Sequence, residues 1–223
     1  MIGRLKVALA AAALTVLIVG CLPADGTPVN TPVPGDVGSN IAVYFGDSLC
    51  WDASSRLTVF YVADPAWRTS LNCFGGTQFE SPSWVQKYSL VGNAPSQSGA
   101  VVVIALGSND ITLDANLDIT KLQLADAVIK TTNARASAVV VPNLSTTALT
   151  GARLTKTQQW NAWLRQVDAS ADPTWRALRV ADFQACSTGH PEWYIDPVHQ
   201  TLAGQTAYAQ FLYQQRTPGL VPC

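Results

Sequence analysis

The heptapeptide AVVVIAL, residues 100–106, limits what this chain can fold into more than any other stretch. Four consecutive β-branched residues within an unbroken apolar run leave no polar face. A strand with no polar face must be covered on both sides, which is the situation of an interior strand of a parallel sheet. A second run of the same kind, AVVV at 138–141, stops at Pro142. Parallel neighbours need long crossovers, usually helical, so helices should lie between such strands.

The intervening segments fit that demand. Strands are expected at 41–45 and 178–182, with a weaker one at 69–73. Helices are expected at 52–62, 83–90, 118–131, 155–168 and 199–214. In the 118–131 segment the apolar spacing points to Ile119, Leu122, Ala125, Val128 and Ile129 as the inner face. In 155–168 it points to Trp160, Trp163, Leu164 and Val167. Strand and helix alternating in this way give an α/β layer architecture with a mostly parallel sheet. Of the 223 residues, 48% are hydrophobic and 13% charged, ample for one core and unlike a disordered chain. The formal net charge of -1 lacks the basic excess of a nucleic-acid binder.

The N-terminus reads as an export signal. Arg4 and Lys6 precede an apolar stretch at 7–19, too short for a comfortable membrane span. It ends LIVGC, which resembles a lipoprotein signal (residues 1–20) with Cys21 as the lipidated residue. An ordinary cleaved signal or an uncleaved anchor are the other readings. Residues 21–38, rich in Pro, Gly and Thr, read as a tether, and 39–223 as one folded domain. Removing Cys21 from five cysteines leaves Cys50, Cys73, Cys186 and Cys223. An even number in an exported chain suggests two disulfides, with three connectivities open. No Cys/His spacing fits a zinc site, so no metal is expected.

Polar punctuation falls where the strands end. Residues 46–48 read GDS after the first strand, and 72–77 read NCFGGT after the weak second one. After AVVVIAL comes GSND, 107–110. The last strand is followed by a loop into YIDPVHQTLAGQTAYA, 194–209. In a parallel sheet these converge at the carboxyl edge, where ligands bind. The set supplies what acyl transfer needs. Ser48 is a hydroxyl nucleophile, weak until a base takes its proton. His199 is an imidazole that titrates near neutrality, and Asp196 is a carboxylate able to hold its tautomer. Amide donors stand ready for an oxyanion. Asp196 before Pro197 suggests a helix cap, with one oxygen on the helix amides and the other on the ring. Asp47 reads as a local turn residue, His190 as a surface or structural one. Trp193 is the best-placed tryptophan to wall a pocket.

These blocks, in order from about residue 41 to 209, resemble the SGNH/GDSL hydrolase family. The resemblance implies a flavodoxin-like three-layer α/β/α sandwich and hydrolysis of acyl esters without a cofactor. It assigns Ser48 as nucleophile, His199 as base and Asp196 as its acid. The oxyanion donors would be the Ser48 amide, the Gly76 amide and the Asn109 side chain. The glycine block is one residue shorter than the common pattern, so Gly75 is the alternative to Gly76. Cys50 and Cys73 flank the nucleophile and oxyanion turns, which favours the pairings Cys50–Cys73 and Cys186–Cys223. The implied partners are an acyl ester (a small molecule, a lipid or an acetylated glycan) and a membrane reached through lipid on Cys21. The protein is expected outside the cytoplasm and as a monomer. An O-acyltransferase using the same residues and a non-catalytic surface lipoprotein are the competing readings.

Overall fold

The computed structural model describes residues 29–33, 40–81 and 98–217. The expected signal, Cys21, the helix at 83–90 and Cys223 lie outside them. The elements in chain order are β1 (Val29–Val33), β2 (Asn40–Gly46), α1 (Ser48–Val62), β3 (Trp67–Cys73), β4 (Val101–Ala105) and α2 (Ser108–Thr112). They continue with α3 (Leu117–Asn133), β5 (Ala138–Pro142), α4 (Gly151–Asp168), β6 (Leu178–Ala181), α5 (Phe183–Ser187) and α6 (Leu202–Gln214).

The sheet order is β1-β3-β2-β4-β5-β6. From β3 to β6 every pairing is parallel, in the doubly wound order of flavodoxin-like folds. The three-layer α/β fold is the expected one. The chain first runs outward from β2 to β3, then returns to β4 on the other side of β2. The carboxyl ends of β2 and β4 therefore flank the switch point, where connections leave to opposite sides and a crevice opens.

β4 and β5 are buried along their whole length, as their apolar runs require. β2 sends Ala42 and Tyr44 into one core cluster and Val43 and Phe45 into the other. The first cluster packs under α1 and α6, and the Tyr44 hydroxyl bonds Tyr61 at 2.7 Å and the Leu212 carbonyl at 3.2 Å. The second packs under α3 and α4 and is centred on fully buried Trp160.

Three local expectations change. The inner face of α3 is Thr120, Leu124, Ala127, Val128 and Thr131, while Ile119, Leu122 and Ile129 are exposed. The reason is tertiary: buried Asp110 accepts from the Thr120 hydroxyl at 3.4 Å, which turns that threonine inward. The last helix starts at Leu202, capped by the Thr201 hydroxyl on the Gly204 amide, so Asp196 caps no helix. Within the expected tether, Val29–Val33 forms an edge strand antiparallel to β3. Backbone pairing needs no apolar periodicity, and an edge tolerates Pro32.

Candidate active site

The β2–α1 junction is fixed by size. A Cβ on Gly46 would collide with the Cys50 side chain and stand 3.2 Å from the Ala105 carbonyl. Only glycine lets β4 and the first turn of α1 close on this point. Asp47 is the N-cap: Oδ1 accepts from the Leu49 amide at 3.0 Å, and Oδ2 accepts from the Ser108 hydroxyl at 2.5 Å. α1 therefore begins four residues earlier than expected, and Ser48 is its first helical residue. Its amide has no protein acceptor among the described residues, as the first turn of a helix predicts.

The second turn follows β3. The Thr77 amide donates to the Phe74 carbonyl at 3.4 Å, and Gly76 sits at φ +72°, the left-handed position of a type II turn. Gly75 and Gly76 are exposed, and neither amide donates to a protein acceptor among the described residues. The third turn leaves β4 through Gly107, at φ +115°. It enters α2, where the Asn109 side chain donates to the Thr77 carbonyl at 3.1 Å. That bond uses one of the two amide protons. Asp110, fully buried, accepts from the Phe79 amide at 3.2 Å. The Cys50–Cys73 disulfide joins the first turn of α1 to the end of β3, as favoured. Cys186 carries a disulfide as well; the pairing expected for it, with Cys223, lies outside the described residues.

The fourth loop holds Asp196 and His199, the residues expected to be acid and base. Asp196 Oδ1 accepts from the Val198 and His199 amides, both at 2.7 Å, and Oδ2 meets His199 Nδ1 at 2.8 Å. One oxygen serves the backbone and the other the ring, on a non-helical turn. A β-bridge between Tyr194 and Gln200 and the Ile195 amide on the His199 carbonyl at 3.0 Å close the loop. His199 Nε2 lies 3.5 Å from Ser48 Oγ. Hydroxyl, imidazole and carboxylate thus form one line from residues 151 positions apart in sequence. Partial burial pushes the Asp196 carboxyl up, but the two amides and the imidazole outweigh it and hold it below the ordinary carboxylate range.

Two carboxylates belong to this neighbourhood beyond those expected. Asp47 is buried between two of the loops rather than serving only its own turn. Asp52 lies one helical turn beyond Ser48, on the same face. Burial lifts its carboxyl, while His199 and Arg56 pull it down. The sequence signal for Asp52 is its i+4 spacing from Ser48, usable only once the helix is known to start there. Trp193 stacks on His190 at 4.1 Å and lines a groove between α5 and α6, not the pocket beside Ser48. His190 bonds Glu192 at 2.8 Å on the surface. Among the described residues no three His, Cys, Asp or Glu side chains are grouped to hold a metal. No helix among them is long and apolar enough to cross a membrane.

The pocket beside the line has a volume of about 40 Å³. Leu49, Ser108 and Val198, the chain neighbours of Ser48, Asn109 and His199, are in its wall.

No protein-family model matches the sequence, and no curated protein matches it either. Solved structures do match in fold. A GDSL-like lipase from Bacteroides thetaiotaomicron superposes with a TM-score of 0.62 at 15% identity, over 82% of this chain and 89% of that one. A member of the lipolytic G-D-S-L family from Veillonella parvula gives 0.59 at 15%, over 80% and 100%. The catalytic domain of a peptidoglycan O-acetyltransferase from Streptococcus pneumoniae gives 0.53 at 18%, over 78% and 90%. The chain has the fold of the SGNH/GDSL hydrolases.

Proposed function

We propose that this protein is an exported serine ester hydrolase. The observation that carries the reading is the Ser48–His199–Asp196 line, open to solvent at the switch point of the sheet. In this reading His199 Nε2 takes the Ser48 proton as Oγ attacks the ester carbonyl. The oxyanion is met by the Ser48 amide, the free proton of the Asn109 amide, and the amide of Gly76 or Gly75. The protonated imidazole then gives its proton to the departing alcohol. A water molecule, deprotonated by the same nitrogen, hydrolyses the acyl-serine and restores the hydroxyl. Asp196 accepts a hydrogen bond from the His199 Nδ1–H throughout and so keeps Nε2 as the basic nitrogen. The 3.5 Å separation suits a resting site whose hydrogen bond shortens when substrate arrives.

Export rests on the N-terminal sequence, with lipid on Cys21 as the anchor, and the Cys50–Cys73 disulfide agrees with an oxidising compartment. Ser48→Ala tests the chemistry. Hydrolysis of p-nitrophenyl acetate should fall at least about a thousandfold, with folding unchanged by circular dichroism. A variant that keeps the wild-type rate refutes the reading. A transferase reading draws on one feature: the His199 and Asp196 side chains are each 45% exposed, so an acceptor hydroxyl can approach as water does. Adding an acetylatable glycan to the assay and looking for transferred acyl groups separates the two.

A further inference from the structure

The pocket that Leu49 and Val198, the neighbours of Ser48 and His199, help to line has both apolar and polar lining. Leu49, Ile111, Leu144 and Val198 are in the wall. Gln200, in the same lining, is 2% exposed, and its Oε1 and Nε2 make no hydrogen bond of good geometry, with the Tyr194 hydroxyl facing it. The Tyr194 hydroxyl faces Ser145, Ser187 and Gln200 without closing a hydrogen bond of good geometry. Both residues line the same pocket, and they pair backbone to backbone at the base of the loop that carries His199. Two other amides near this end of the sheet are satisfied, whereas Gln214 Oε1, outside this pocket, also lacks a partner. Asn161 donates to the Leu144 carbonyl and to Gln184 and accepts from the Leu144 amide. Asn143 donates to Asp182 and accepts from the Gln184 amide. An unpaired buried amide is expensive, and its use here is to be completed by what enters.

We propose that Gln200, with Tyr194 beside it, is a specificity-determining residue that hydrogen-bonds a polar substituent on a short acyl group. This rests on the ester-hydrolase reading above. Size limits the guest. About 40 Å³ is room for roughly three or four water-sized groups, on the scale of 10–15 Å³ for each. An acyl chain of two to four carbons fits; a sugar ring or an octanoyl chain does not. Chemistry limits it further. A site built to bond a hydroxyl or amide discriminates strongly against the analogue that lacks it, because the protein group is then left unpaired. The favoured substrates are therefore small hydroxyacyl esters rather than plain alkanoyl esters of equal length.

The test compares kcat/KM for p-nitrophenyl propionate, butyrate and octanoate with lactate and 3-hydroxybutyrate esters, on the full chain and on Gln200→Leu. The expected result is a preference of about tenfold or more for a hydroxyacyl ester over its plain counterpart, a worth of about 1.4 kcal/mol. That ratio should collapse towards one in Gln200→Leu. Tyr194→Phe, which keeps the ring, provides the same comparison if Gln200→Leu does not fold. Equal rates on plain and hydroxylated esters, a preference that survives both substitutions, or octanoate cleaved as well as propionate would each overturn the proposal. If Ser48-dependent cleavage persists in those cases, only the specificity claim falls. If no ester is cleaved, the hydrolase reading fails and takes this one with it.

Discussion

The two halves of the candidate site are built differently. The turns proposed to carry the nucleophile and the oxyanion donors are held by side chains with almost no solvent contact. Asp47 is 1% exposed and links the β2–α1 turn to Ser108; Asp110 is 0% exposed and links α2 to Phe79. The disulfide adds a covalent tie between the same loops. The proposed acid and base, Asp196 and His199, sit on an exposed loop and are held by bonds within it, and His199 reaches Ser48 at 3.5 Å. The difference suits the proposed tasks. Oxyanion donors act through fixed position, so reorganisation during reaction is what they must avoid. A base must approach a hydroxyl, then a leaving group, then water, and a loop with local support allows that. The buried half should therefore answer to mutation in stability, and the exposed half in rate.

His199→Ala gives the sharpest form of that contrast. Rate on a short ester should drop by about 10⁴ or more, some 5 kcal/mol of barrier. The thermal midpoint should hardly move, because a half-exposed ring with one local bond carries little of the fold. A large loss of thermal stability would mean that the loop is structural, and the division between halves would be wrong. The double substitution Cys50→Ser, Cys73→Ser probes the other half. The closed loop spans a sequence separation of 23 residues, and its loss should cost about 3 kcal/mol in unfolding free energy. The rate should fall less than for His199→Ala, through kcat rather than KM, as the Gly75–Gly76 turn loosens against Ser48. Denaturant titration beside steady-state kinetics reads both. An unchanged denaturation midpoint would leave the buried carboxylates as sufficient support.

What the sequence reveals divides along a similar line. β4 and β5 are legible because a run of β-branched residues has one sensible place in a soluble fold. The Gly46–Ser48, Gly107–Asp110 and Asp196–His199 stretches are legible because turn chemistry and reactive side chains coincide at strand ends. The inner face of α3 is not, since Leu122 has the right spacing and the wrong neighbours, and Asp110 draws Thr120 inward instead. Nor is the start of α6. Asp196-Pro197 looks like a helix entrance, but the carboxylate closes a turn before Thr201 caps the helix. The polar lining of the pocket is also invisible, because nothing near Gln200 in sequence shows that its amide is buried without a hydrogen bond of good geometry. For α3 and Gln200 the missing information is the packing of distant segments; for α6 it is which of two nearby residues, Asp196 or Thr201, caps the helix.

The smallest expected effect tests whether the buried half is held by charge or by shape. Burial pushes Asp47 up to about 6, against the Ser108 and Leu49 hydrogen bonds and with some help from Asp110. Burial likewise lifts Asp110 to about 6, against the Phe79 amide. An unfolded aspartate titrates near 3.8 on the same scale. Between about pH 4 and 6 the folded chain therefore holds protons that the unfolded chain has released. Stability falls as pH rises through that window and levels off above it. Carboxyls held low, such as Asp64 and Asp196, act with the opposite sign below about pH 4. The thermal midpoint should thus peak near pH 4–5. Asp47→Asn removes one of the two titrations while keeping the shape, since its carbonyl oxygen can cap Leu49 and its amide can donate to the Ser108 hydroxyl. At pH 8 this variant should be more stable than the parent by about 1–2 kcal/mol, within the limit set by a two-unit shift, and its profile between pH 4 and 7 should be flatter. Should the variant instead lose stability at pH 8 and keep the parent's slope, the carboxylate charge would be favourable where it sits. The buried half would then be an electrostatic device rather than a steric one.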